Sequence, residues 1–182
     1  HIIANHEIGH ALTAYLLEYA ENPRKVSIVP RAKGILGFSQ NLHEDDISLY
    51  QKDELEHKLM VIMGGRVAEF IKFNKYSTGA HDDLQKINSI VRDMITKFGM
   101  DEYLGGMQIE HNKDEFYSCN SNNYLQIVDD KIQSYINNIE MNTKKLIKNN
   151  IKSFDKLVDL IIENETIYLE DIKCIIDEVE SG

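Results

Sequence analysis

His6-Glu7-Ile8-Gly9-His10, written HEIGH, stands close to the start of the chain. Positions four apart lie on one face of an α-helix about one turn from each other, so His6 and His10 can turn both imidazoles toward a single ion. Glu7 follows the first of them, and its carboxylate can reach water on that ion and accept its proton while the cation polarises a scissile carbonyl. Ile8 lies roughly 200° around the helix from His6, so its bulk points away, and Gly9 lets another element pack closely. The same five residues also suit two structural histidines that fall one turn apart, because HExxH occurs in proteins that bind no metal. A helix, a third ligand and a place for a peptide must come from the rest of the chain.

Working outward, Ile2 to about Tyr19 carries Ile3, Leu12, Leu16 and Leu17 without a proline, which predicts a helix stopped by Asn22-Pro23. Lys25 to Pro30 (KVSIVP) alternates like a strand, and Gly34 to Leu42 (GILGFSQNL) reads as a second, so the two predict a small sheet. Leu55, Leu59, Ile62, Met63 and Val67 recur at three and four through Lys52 to about Phe73, a long amphipathic helix. The adjacent Gly64 and Gly65 inside it each cost a helix up to about 1 kcal/mol relative to Ala. Close packing against another helix is a sound reason to carry them. Ser77 or Thr78 is a fair N-cap for the next helix, whose apolar residues run from Ile87 to Phe98 and end at Gly99. The asparagine-rich, aperiodic stretch 110–123 predicts a mobile loop. Beyond it Tyr124–Asn149, Ile151–Asn164 and Thr166–Val179 have helical periodicity. The expected class is α+β and predominantly helical, an HExxH helix with a small sheet and a C-terminal helical bundle. Residues 1–109 would form the core, and 124–182 a helical part of the same domain.

Composition narrows the function classes. Among 182 residues, 42% are hydrophobic and only two are proline, a balance of globular rather than disordered chains. With 30 acidic against 20 basic residues the formal net charge is -10, which argues against nucleic acid as a partner. Cys119 and Cys174 are far apart and make neither a CxxC zinc site nor a disulfide framework, so any metal chemistry falls to His and carboxylate. No apolar run approaches the roughly 20 residues of a membrane span. The piece is expected to be soluble. Because it begins at the motif without an initiator methionine, it is expected to be a domain of a longer protein.

The motif blocks HEIGHA, VSIVPR (26–31), GILGFSQ (34–40), MGGRVAE (63–69), STGAHDDL (77–84), KFGM (97–100) and LIIENETI (160–167) follow one another in this order. Together they resemble the peptidase domain of the FtsH family, membrane-bound ATP-dependent zinc proteases of bacteria, mitochondria and plastids. The likeness covers nearly the whole chain. It departs from the family at Ile8, where alanine is usual, and in the polar stretch 110–123.

The resemblance implies a zincin-type metalloendopeptidase with one Zn2+ per chain, bound by His6, His10 and Asp83, with Glu7 as the base. Asp83 is the aspartate before leucine in the family's TGA-x-x-D-L pattern; Glu69, and behind it Asp82 and His81, are the rival third ligands. GILGFSQ matches the family's strand beside the active site, which makes Gly34, Ile35, Leu36, Gly37 and Phe38 candidates to pair with an extended substrate. An ordinary edge strand is the plainer alternative. Arg66 could anchor a carboxylate or sit solvated, and His43, His57 and His111 have no partner pattern. No GxxxxGK[ST] phosphate loop is present, so ATP would act only through an AAA+ domain outside this sequence, as would any membrane segment. The family pattern further implies polypeptide substrates, protein quality control, and a homo-oligomeric ring of six. It places the full-length protein in a mitochondrial, plastid or bacterial inner membrane. The competing function is a non-catalytic helical assembly or substrate-docking module with a vestigial zinc site.

Overall fold

The computed structural model describes residues 1–29, 49–104 and 122–181. In chain order the elements are α1 (Ile2–Leu16), β1 (Lys25–Ser27), α2 (Lys52–Phe73), a 3-10 turn (Thr78–Ala80), α3 (His81–Thr96), α4 (Asn122–Asn149), α5 (Ile151–Asn164), β2 (Thr166–Tyr168) and α6 (Leu169–Ser181). The predominantly helical α+β class is the one found. Residues Gly34 to Phe38, His43 and His111 lie outside the described residues, as does the expected loop 110–123 apart from its last two residues, which begin α4.

Local chemistry sets the boundaries. The Gln51 N–H donates to the Glu54 carboxylate at 2.6 Å, one arm of a capping box at the start of α2. Asn74 in the left-handed region (φ 52°) ends α2, its N–H bonding the Phe70 carbonyl. Gly99, φ 61°, reverses the chain after α3 so that the Met100 N–H reaches the Met94 carbonyl. α1 stops at Leu16, short of the expected Tyr19, because the chain there turns to lay the Tyr19 ring on His57 and to donate the Tyr19 N–H to His57 Nδ1 at 3.3 Å. His57 therefore has a partner that spacing alone did not show.

The expected second strand, Gly34 to Leu42, lies outside the described residues, and the described sheet contains a strand that periodicity did not predict. β1 pairs antiparallel with β2, Val26 opposite Ile167, so the described partner of the first strand comes from the segment that periodicity assigned to the last helix. Thr-Ile-Tyr suits a half-buried strand, with Ile167 fully buried and Tyr168 exposed. Glu165 turns left-handed (φ 58°) to break α5, and Asp171 accepts the Tyr168 N–H at 2.8 Å, which delays α6 to Leu169. Three residues are too few for alternation to outweigh the helical pattern that follows.

α1 packs mainly on α2, α2 packs in turn against α4 and α3, and α5 packs on α1. Ile8 and Leu12, one turn apart, are fully buried with Leu59, Met63, Phe154 and Ile161 in one continuous core that reaches α6 through Ile172. Each such side chain contributes about 1.5–3 kcal/mol. Ile8, where the family usually has alanine, is accommodated on the core side of α1, opposite the histidines. Among the described residues no helix is long and apolar enough to cross a membrane.

Candidate metal centre

α1 and α2 meet through glycine. A Cβ on Gly64 would come within 2.5 Å of the Gly9 carbonyl oxygen, and one on Gly9 would strike Gly64 in turn, so the two backbones touch where neither residue has a side chain. That approach brings the HEIGH face of α1 onto α2. His6 Nδ1–H donates to Glu69 Oε1 at 2.7 Å, and His10 Nδ1–H donates to the Val61 carbonyl at 2.8 Å. The helices are therefore antiparallel. A carbonyl can only accept, so His10 carries its proton on Nδ1, and the Glu69 carboxylate selects the same tautomer for His6.

Both Nε2 atoms are left bare, and they face each other at 3.0 Å. Asp83 completes the triangle: its Oδ2 lies 3.3 Å from His6 Nε2 and 3.4 Å from His10 Nε2. Three lone-pair atoms thus converge with no proton among them in the neutral imidazoles, a cluster that a cation or an added proton at its centre would relieve. The edges match a tetrahedral zinc, whose ligands at about 2.0–2.1 Å stand about 3.3 Å apart. His6, His10 and Asp83 are also the group of metal-ligating side chains found together among the described residues. The donor set, two imidazoles and a carboxylate with no thiolate, is borderline in softness and fits zinc.

The electrostatics follow the same geometry. Burial pulls His6 toward the neutral form, but the Asp83 and Glu69 carboxylates beside its two ring nitrogens, with the charge of Glu7, outweigh it and raise its pKa above the ordinary value. Burial would push Asp83 up, yet the His10 and His6 imidazoles facing it hold its carboxyl well below the usual carboxylate range.

Asp83 reaches this place through a braced turn. The Ser77 side chain accepts the Gly79 N–H at 3.1 Å, so it caps the turn Thr78–Ala80 and not, as expected, α3, whose N-cap is Ala80 without a side-chain bond; the turn leads straight into α3 with Asp83 in its first turn. Glu69, nearly fully buried, accepts from the Ser77 N–H through Oε2 at 3.1 Å while holding His6 through Oε1. It stands behind His6, on the Nδ1 side, rather than among the converging donors. Asp82 and His81 are exposed. Arg66, partly exposed, has no carboxylate partner among the described residues: its guanidinium lies 3.7 Å from the Tyr76 ring centroid, and Tyr76 stacks on Phe70 and donates to Glu140 of α4. Pattern gave no sign of the Val61 carbonyl or of this stack, since a backbone acceptor has no letter of its own.

Glu7, His10 and Asp83 line one cavity of about 430 Å3, whose apolar wall includes Val61, Ile62 and Ile90. The Glu7 carboxylate has no hydrogen-bond partner among the described residues. The family model described as peptidase family M41 matches residues 1–175. The chain belongs to peptidase family M41. M41 relatives with curated names include the ATP-dependent zinc metalloprotease FtsH of Endomicrobium trichonymphae, 36% identical over 96% of this chain and 29% of that protein. The FtsH of Syntrophobacter fumaroxidans is 34% identical over 99% of the chain and 29% of its own length. The mitochondrial inner membrane m-AAA protease component YTA10 of Saccharomyces cerevisiae is 31% identical, with 93% and 22% covered. This M41 chain thus spans less than a third of the length of these relatives, and the FtsH resemblance of its motif blocks agrees with the family match.

Proposed function

We propose that this chain is the zinc-dependent endopeptidase domain of an ATP-dependent, membrane-anchored protease that degrades unfolded or membrane proteins. The observation that carries it is the convergence of His6 Nε2, His10 Nε2 and Asp83 Oδ2 at the edge of a cavity that Glu7, His10 and Asp83 line, Glu7 having no hydrogen-bond partner among the described residues. His6 and His10 through Nε2, and Asp83 through Oδ2, would hold one zinc. Zinc bound there would supply a Lewis acid for the peptide carbonyl and would make water acidic enough to lose a proton near neutral pH. Glu7 takes that proton at its carboxylate and returns it to the leaving amine. The Val61 carbonyl and Glu69 keep both imidazoles in the tautomer that presents Nε2 to the site. Apolar Val61, Ile62 and Ile90 offer a side chain of the substrate a dry wall.

Backbone pairing of the substrate with Gly34 to Phe38 belongs to the same reading and rests on the resemblance. So do the ring of six, the quality-control role, and an inner membrane of a bacterium, mitochondrion or plastid for the full-length protein. ATP acts through an AAA+ domain beyond this sequence.

The test is Glu7→Gln in the full-length protein with ATP and an unfolded substrate such as casein. It should keep one zinc per chain and lose cleavage by about 10²–10⁴-fold. Unchanged cleavage would overturn the role of Glu7. Wild-type protein that binds peptide stoichiometrically yet shows no chelator-sensitive cleavage would instead make it a docking module with a vestigial site.

A further inference from the structure

Val61, Gly65 and Glu69 stand at four-residue intervals on α2, so they share one face of that helix. The outer two hold His10 and His6 by their Nδ1 atoms. The middle one lies under both rings. A Cβ on Gly65 would come within 2.5 Å of His10 Nε2 and 2.7 Å of both Cε1 and Nε2 of His6, distances that real Cβ atoms essentially never show. Its three nearest neighbours are imidazole atoms, whereas those of Gly64 are two backbone atoms of Gly9 and the Thr13 hydroxyl. The two adjacent glycines therefore have different tasks, although the sequence gives them one.

We infer that Gly65 is a positioning residue for the metal site: its missing side chain is the space in which the two Nε2 atoms converge with Asp83. A ring at the end of a free side chain would swing away from an added methyl at little cost. Here each ring is tethered from behind, His6 to the carboxylate of Glu69 and His10 to the Val61 carbonyl. Moving either Nε2 far enough to admit a Cβ lengthens an Nδ1 hydrogen bond or spoils the triangle with Asp83. Gly64 serves a separate purpose, since a Cβ there forces the helices themselves apart. For its effect on zinc the inference rests on the proposed metal centre; the steric part does not.

A stability cycle on metal-free protein tests the steric part. Alanine is the better helix former, so Gly65→Ala should raise the melting temperature in a His6→Ala/His10→Ala background, where the rings are gone. In the wild-type background it should fail to raise it or should lower it. The same direction and size of change in both backgrounds would overturn the inference, and the cycle remains readable where Gly65→Ala alone is poorly folded, because relief then appears as rescue. Zinc titration with a competing chelator tests the consequence: Gly65→Ala should weaken binding by about 10–100-fold, the loss typical of disturbed support behind metal ligands. Wild-type zinc affinity in that variant would also overturn it. Absence of zinc binding in the wild type would sink the proposed metal centre while leaving the stability cycle standing.

Discussion

Glu69 holds two parts of the molecule with one carboxylate, taking the His6 Nδ1–H on one oxygen and the Ser77 N–H on the other. Glu69→Gln keeps the shape but offers an amide where two donors already point, leaving one buried donor facing another. The expected costs are about 1–3 kcal/mol of stability and about 10–100-fold in zinc affinity, measured by denaturant unfolding and chelator competition. Wild-type affinity in this variant would mean that His6 is held well enough without the bond. At this scale the sequence spoke clearly for His6, Glu7 and His10, because a four-residue spacing on a helix is a statement about direction. It left Glu69 and Asp83 as rivals for one place. Only the fold separates them, one behind the imidazole and one before it.

At the scale of elements, the pairing of β1 with β2 ties the segment after α1 to the C-terminal pair of helices. Ile167 is fully buried opposite Val26. Ile167→Ala should cost about 2–5 kcal/mol, read as a lower denaturation midpoint with an unchanged slope. A cost under about 0.5 kcal/mol would place Ile167 at the surface. Helix ends were legible to within a few residues wherever a cap or a left-handed residue marks them, as at Gln51, Ser77 and Gly99. The strand partner was not, since Thr166 to Tyr168 becomes a strand only when Val26 arrives to pair with it.

Across the whole molecule two linkages can be measured. An unfolded chain does not present the three donors together, so zinc should stabilise the fold. At free zinc about 100 times its Kd the gain is about 2.7 kcal/mol, a rise of roughly 5–10 °C in melting temperature for a chain of this size. No rise on adding zinc would count against the centre. The second involves Tyr135 of α4, whose hydroxyl donates to Glu56 of α2. Burial, then the bond to Glu56 and the charges of Glu56, Asp53 and Asp101, raise its pKa far above the ordinary value of about 10. A raised pKa means stability that is fully present below about pH 10 and lost above it, as the unfolded chain releases a proton the folded chain retains. Tyr135→Phe should flatten that alkaline fall, measured by unfolding at pH 8 to 11; an identical slope would show that other groups govern it.

The sequence by itself determined the helix that carries HEIGH, the predominantly helical class and the chemistry of the first two donors, because these depend on residue type and on spacing within one element. Tertiary structure alone decided which acid meets them, which strand pairs with Val26, and that of two adjacent glycines one lets helices touch while the other leaves room for imidazoles. The physical reason is that those outcomes depend on distances between segments far apart in the chain, and such distances exist only once the core has packed.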